Sequence, residues 1–204
     1  MLYIKKETEL SQEIIDVIDT SKAEFRKRLA SGDSKASRKA FEDLRAKKIL
    51  IKSSLLQEQH GLCAYCMKSI QGAARIEHWK PLSSNTEDTL EYANMFAVCD
   101  GGEKSEEPLE EWPQGRGKSG LCCDASKRDR TIALHPCDKE QMSKICYSDE
   151  DVFLYSNPCD EILEGDINVL HLNGVIRDGQ FYCANSIVIQ KLILFTTGGR
   201  CISH

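Results

Sequence analysis

Residues 60–81 read HGLCAYCMKSIQGAARIEHWKP. Two residues separate Cys63 from Cys66, and eleven separate Cys66 from His78, which stands between Glu77 and Trp79. Two thiolates at that spacing reach one ion from a tight backbone knuckle, so the stretch reads as half a metal site. A thioredoxin-type pair opens a helix directly after a strand. Here a helical pattern precedes Cys63 and extended segments follow it, which disfavours a redox pair.

Upstream, Leu10, Ile14, Ile18, Phe25 and Leu29 recur at helical spacing, with Thr8 or Ser11 placed to cap the start. SGDSKAS (31–37) ends that helix. A second helix is expected over 37–59, with Phe41, Leu44, Ile51 and Leu55 on one side, and Gly61 supplies a left-handed stop. This helical hairpin leads directly to Cys63.

Downstream, MKSI and ARIEHW flank QGAA and predict a β-hairpin within 66–81. LEYANMFAVC (90–99) reads as a loop and a short apolar segment, followed by an acidic Gly- and Pro-containing insert over 100–120 that reads as a mobile loop. CDASKRDR (123–130) has helix-forming composition, SKICYS and VFLYS suggest another hairpin, and DEILEGDINVLHLN (160–173) an amphipathic helix. Residues 174–204 carry no assignable pattern.

The second half of a tetrahedral site is sought in Cys99 with Cys123, or with Cys122 as the alternate fourth ligand. The insert between them is tolerable because long surface loops cost little extra closure entropy. Cys137, Cys146, Cys159, Cys183 and Cys201 show no pairing pattern. Ten cysteines without a visible secretory signal point to metal binding in the cytoplasm, in preference to a disulfide framework. No apolar run approaches the ~20 residues of a membrane helix.

The formal net charge of −5 argues against a chain coated for nonspecific nucleic-acid binding. The charge is uneven: residues 1–60 hold 13 Lys and Arg against 10 acids, and residues 131–204 hold 5 against 10. QGRGKSGLCCDASKRDR (114–130) concentrates Arg116, Lys118, Lys127, Arg128 and Arg130.

Glu77-His78, then Asn94, then Asp124 three positions before Lys127 form an ordered set. That order resembles the ββα-metal (HNH) nucleases, whose zinc-containing members carry flanking cysteine pairs. LLQEQHGLCAYC, RIEHWKPL, LEYANMFAVC and CCDASKRD together look like the PtuB-like HNH nucleases of Septu and retron anti-phage systems, a resemblance spanning about residues 50–173. Asp124 stands where many such nucleases carry His or Asn, and Cys122 where a His often stands.

The resemblance implies an α+β protein in three parts. These are an N-terminal helical region (1–60), a zinc-stapled ββα-metal core with the acidic insert (61–130), and a small α/β C-terminal extension (131–204). It implies structural Zn²⁺ on Cys63, Cys66, Cys99 and Cys123, and catalytic Mg²⁺ or Mn²⁺ on Glu77 and Asp124. His78 is then the general base, Asn94 braces its loop, and Lys127, Arg128 and Arg130 contact phosphates. Strand alternation would point Glu77 and His78 to opposite faces unless the strand is twisted or bulged there. The implied partners are a DNA or RNA substrate and an ABC- or SMC-like ATPase (PtuA-like), with a retron reverse transcriptase and its nucleic acid in some systems. The rival from another class is a zinc-stapled adaptor that binds nucleic acid or protein without cutting.

Overall fold

The computed structural model describes residues 1–103, 121–147 and 154–173, and the backbone of two short strands at 175–177 and 180–182. Arg116, Lys118, Cys183 and Cys201 lie outside the described residues, as do most of the acidic insert and of the final thirty residues.

The chain is mixed α+β. Helix α1 (Gln12–Ala30) buries Ile14, Val17, Ile18, Ser21 and Phe25 on one stripe, whereas Leu10 precedes the helix and Leu29, expected on the stripe, is exposed. Ser11 occupies its N-cap with no side-chain hydrogen bond; its carbonyl instead accepts from the amides of Ile14 and Ile15. The single helix expected over 37–59 is broken. Helix α2 (Ala36–Glu42) lies against α1, a 3₁₀ turn follows at Arg45–Lys47, and α3 (Lys48–Glu58) packs on a strand. The bend, with Arg45 at φ 45°, lets one segment serve two different neighbours, which a straight rod would not reach. Gly61 ends the run as expected, at φ 72° with its amide donating to Leu56 O at 2.8 Å.

The hairpin expected inside 66–81 does not form. Strand β1 (Arg75–His78) pairs antiparallel with β2 (Met95–Val98), in the register Arg75↔Val98 to His78↔Met95. MKSI spends its hydrogen bonds elsewhere: Ser69 bridges Leu62, the Ile70 amide donates to Gly61 O, and the Cys63 amide donates to Lys68 O. Every residue of β2 is buried, which is why MFAV reads as an apolar run without alternation. Gln59 seals this strand's free side: its amide group donates to Ala97 O at 2.8 Å and accepts from Ala97 N at 2.7 Å.

Helix α4 (Cys123–Lys127) is short, and the following segments hold it. Helix α5 (Lys139–Lys144) leads into the small hairpin of β3 (Ile145–Tyr147) and β4 (Leu154–Ser156). Next comes α6 (Glu161–Val169), capped by the Asp160 carboxylate, and then the strands β5 (Val175–Arg177) and β6 (Gln180–Tyr182). At the end of α6, Leu170 O accepts from Cys123 N at 2.9 Å and Val169 O from the Ser126 hydroxyl at 2.8 Å. The buried Asp166 carboxylate accepts from the amides of Ala133 and Leu134. One apolar cluster runs from Ile4 through α1–α3, β2 and α4 to Leu172. Cys146 is buried in β3 and disulfide-bonded, a bond its spacing did not suggest. Among the described residues, no helix is long and apolar enough to cross a membrane.

Candidate metal centre and the polar cluster beside it

The knuckle at 61–70 turns the Cys63 and Cys66 side chains inward, aided by Met67 at φ 60°. β2 runs into Cys99, and α4 begins at Cys123. All four residues are buried, and their sulfurs lie within 4.8 Å of one another. Sulfur–sulfur separations of 3.9 Å (Cys63–Cys123) and 3.7 Å (Cys66–Cys99) match the ~3.8 Å edge of a tetrahedron with Zn–S bonds of about 2.3 Å. None of the four is in a disulfide. Four thiols this close cannot all ionise without a cation between them, so the donor set fits structural Zn²⁺. Cys123 is the fourth member. Cys122 lies beside Cys99 but outside the four, because Cys123 takes φ 53° at the helix start while Cys122 is extended.

The turn after Cys99 packs closely on the start of α4. Gly101, at φ 62°, accepts the Cys122 amide at 2.9 Å, and a Cβ on it would lie 2.3 Å from the Cys122 carbonyl oxygen. Only glycine fits there.

A polar cluster surrounds the end of β1. Glu77 is 6% exposed and His78 5% exposed. The two neighbouring side chains engage different elements. Glu77 meets α4, where Lys127 Nζ donates to its Oε1 at 2.6 Å and the Asp124 carboxyl lies within hydrogen-bonding reach. His78 meets α2, its ring edge-on to Phe41 at 4.4 Å. Burial, and then the Asp124 carboxyl, push Glu77 up to about 8, against the pull of Lys127. Burial, and then the charges of Lys127, Lys48 and Arg38, hold His78 down to about 3, so its imidazole is neutral. Its Nε2 is buried with no hydrogen-bond partner among the described residues.

Asn94 forms a two-way clamp. Its Oδ1 accepts from Lys80 N at 2.7 Å, and its Nδ2 donates to Lys80 O at 3.0 Å and to Thr89 O at 2.9 Å. The Trp79 amide donates to Asn94 O, so the strand end that carries His78 is braced from across the hairpin. Lys127, expected on a phosphate-facing surface, has no exposed area and also donates to His78 O. Arg128 and Arg130 are exposed, although the Arg130 guanidinium is tied to the carbonyls of Ser126, Lys127 and Val169.

Three residues near the site escaped the sequence reading. Tyr65, between the first two cysteines, is fully buried, its hydroxyl has no hydrogen-bond partner among the described residues, and burial and then the Glu77 and Asp124 carboxyls raise its pKa. Its place inside CAYC was the one available signal. Phe41 and Gln59 gave none beyond a helical pattern. Among the described residues, only the four cysteines form a group of three or more metal-ligating side chains. Compared with known proteins, the chain matches no protein-family model and no curated sequence.

Proposed function

We propose that this chain is a metal-dependent endonuclease of the ββα-metal type, hydrolysing phosphodiester bonds of DNA or RNA. The observation that carries the reading is the buried polar cluster. Glu77 and Asp124, distant in sequence, lie within hydrogen-bonding reach of each other, and the residue after Glu77 on β1 carries a buried imidazole whose Nε2 has no hydrogen-bond partner among the described residues. An unpartnered buried polar atom costs on the order of 1–3 kcal/mol, so such a cluster needs a reason beyond folding.

In this reading neutral His78 takes a proton from the attacking water at Nε2, and Asn94 fixes the strand end that aims it. Glu77 and Asp124 would hold a divalent ion, Mg²⁺ or Mn²⁺, with Lys127 displaced from Glu77, and that ion would offset charge developing on the phosphate. The cysteine cluster, loaded with zinc, fixes the knuckle and α4 against the end of β2. The resemblance to PtuB-like nucleases supports a role in phage defence with an ABC- or SMC-like ATPase partner, and in retron systems with a reverse transcriptase and its nucleic acid.

A second reading, the zinc-stapled adaptor, is favoured by two features: His78 is covered by Phe41, and Lys127 already occupies Glu77. The experiment that separates them is cleavage of plasmid DNA and total RNA by the full chain, with and without its ATPase partner, in Mg²⁺ or Mn²⁺. His78→Ala is expected to lower cleavage at least ~10²-fold with fold and zinc content intact. Cleavage at the wild-type rate by that variant would leave the adaptor reading standing.

A further inference from the structure

Burial of Lys127 leaves the region around His78 without its expected phosphate contact, and the cations around the ring that packs on His78 come from the N-terminal helices. Phe41 joins them. Its ring lies 4.4 Å edge-on from His78, and the Lys48 ammonium stands 4.5 Å over the same ring. Arg38 lies three residues before Phe41, on the same side of α2, and its guanidinium is 3.0 Å from Asp129 in the turn after α4. Thus α2, the start of α3 and the end of α4 converge around one buried imidazole.

We propose that Arg38 and Lys48 form the phosphate-binding rim of this site, seating the sugar-phosphate backbone of a nucleic acid against His78. Both cations flank Phe41, the ring that packs on His78: Lys48 stands over its face and Arg38 lies one turn before it on α2. The acids nearby do not cancel them. Asp43 is engaged by Arg28 at 2.6 Å, and Glu42 and Asp43 act on Lys48 only at a distance. Among the described residues, Lys48 has no carboxylate within ion-pairing distance. Arg38 is paired with Asp129, but both side chains are exposed, at 44% and 60%, and such a pair exchanges readily for a phosphate. The unpartnered Nε2 of His78 is a second, independent sign that something polar completes this locus.

The inference rests on the nuclease reading of His78, and its test is chosen to fail separately. Binding of labelled single-stranded DNA, double-stranded DNA and RNA to the full chain is followed by fluorescence anisotropy from 25 to 200 mM salt, without added divalent ion so that nothing is cut. Each phosphate contact contributes about 0.9 to the slope of log K against log salt on duplex DNA, and about 0.7 on single strands. Arg38→Gln with Lys48→Gln is expected to flatten that slope by at least ~1 on whichever nucleic acid binds tightest. The charge-matched pair Lys5→Gln with Lys139→Gln should leave it unchanged. Lys48→Arg should retain the wild-type slope, which separates lost charge from lost packing. An unchanged slope in the double variant, an equal loss in the control pair, or no binding of any of the three nucleic acids by wild type overturns the proposal. If the slope survives while His78→Ala abolishes cleavage, the rim is wrong and the nuclease stands. If the slope falls while His78→Ala still cuts at the wild-type rate, the rim is right and the catalytic reading is wrong.

Discussion

Lys127 has no exposed surface, and its ammonium lies 2.6 Å from a carboxylate that is itself 8% exposed. In sequence it is one cation of a basic cluster; in the fold it is buried against Glu77, favouring that group's charge while burial and the Asp124 carboxyl push the other way. Taking either partner out of a buried pair leaves a charge without compensation, which costs about 3–5 kcal/mol, whereas removing both is far cheaper. Lys127→Met alone is therefore expected to destabilise by roughly that amount, and Glu77→Gln with Lys127→Met to recover most of the loss. Chemical denaturation of the two singles and the double checks it. Strict additivity would mean that the pair is not coupled. Asn94 shows the reverse case. Its position after Glu77-His78 was legible in the sequence, and in the fold its side chain makes three hydrogen bonds, two to Lys80 and one to Thr89.

At the scale of elements, helices were easier to read than strand pairing. The apolar stripe of α1, the stop at Gly61, the short α4 and the amphipathic α6 all follow from local pattern. The partner of β1 does not, because a strand's pairing is decided by which edge is free. The knuckle's own hydrogen bonds remove MKSI from competition, and β2 takes its place across a long connection. The break between α2 and α3 likewise reflects two tertiary neighbours, with no Gly or Pro to announce it. Gly101 joins the two halves of the cysteine cluster, and its backbone admits no Cβ. Gly101→Ala should cost on the order of 1–3 kcal/mol and lower the zinc content of purified protein, because Cys99 and Cys123 can no longer approach together. Full zinc occupancy with unchanged thermal unfolding would show that the turn can yield.

For the whole molecule, the four cysteines come from the knuckle, the end of β2 and the start of α4, so a metal there ties together the chain on either side of the insert. Structural zinc contributes on the order of 10 kcal/mol of binding free energy in small domains. One zinc per chain is expected, and Cys63→Ser should give insoluble or unfolded protein. Elemental analysis finding folded, zinc-free wild type would remove the staple from the account. The last helix matters at the same scale, since the carbonyls ending α6 hold α4 and Asp166 holds the segment after it. The sequence alone determined the ligand types, their order along the chain and the helical stripes, because ligand chemistry and apolar periodicity are written locally. Tertiary structure alone decided that Cys123 and not Cys122 completes the four, that β1 pairs with β2, and that Lys127 turns inward while Lys48 stands over the Phe41 ring that packs on the histidine. Those outcomes depend on how distant segments compete for the same buried space and the same hydrogen bonds, which no single stretch of chain records.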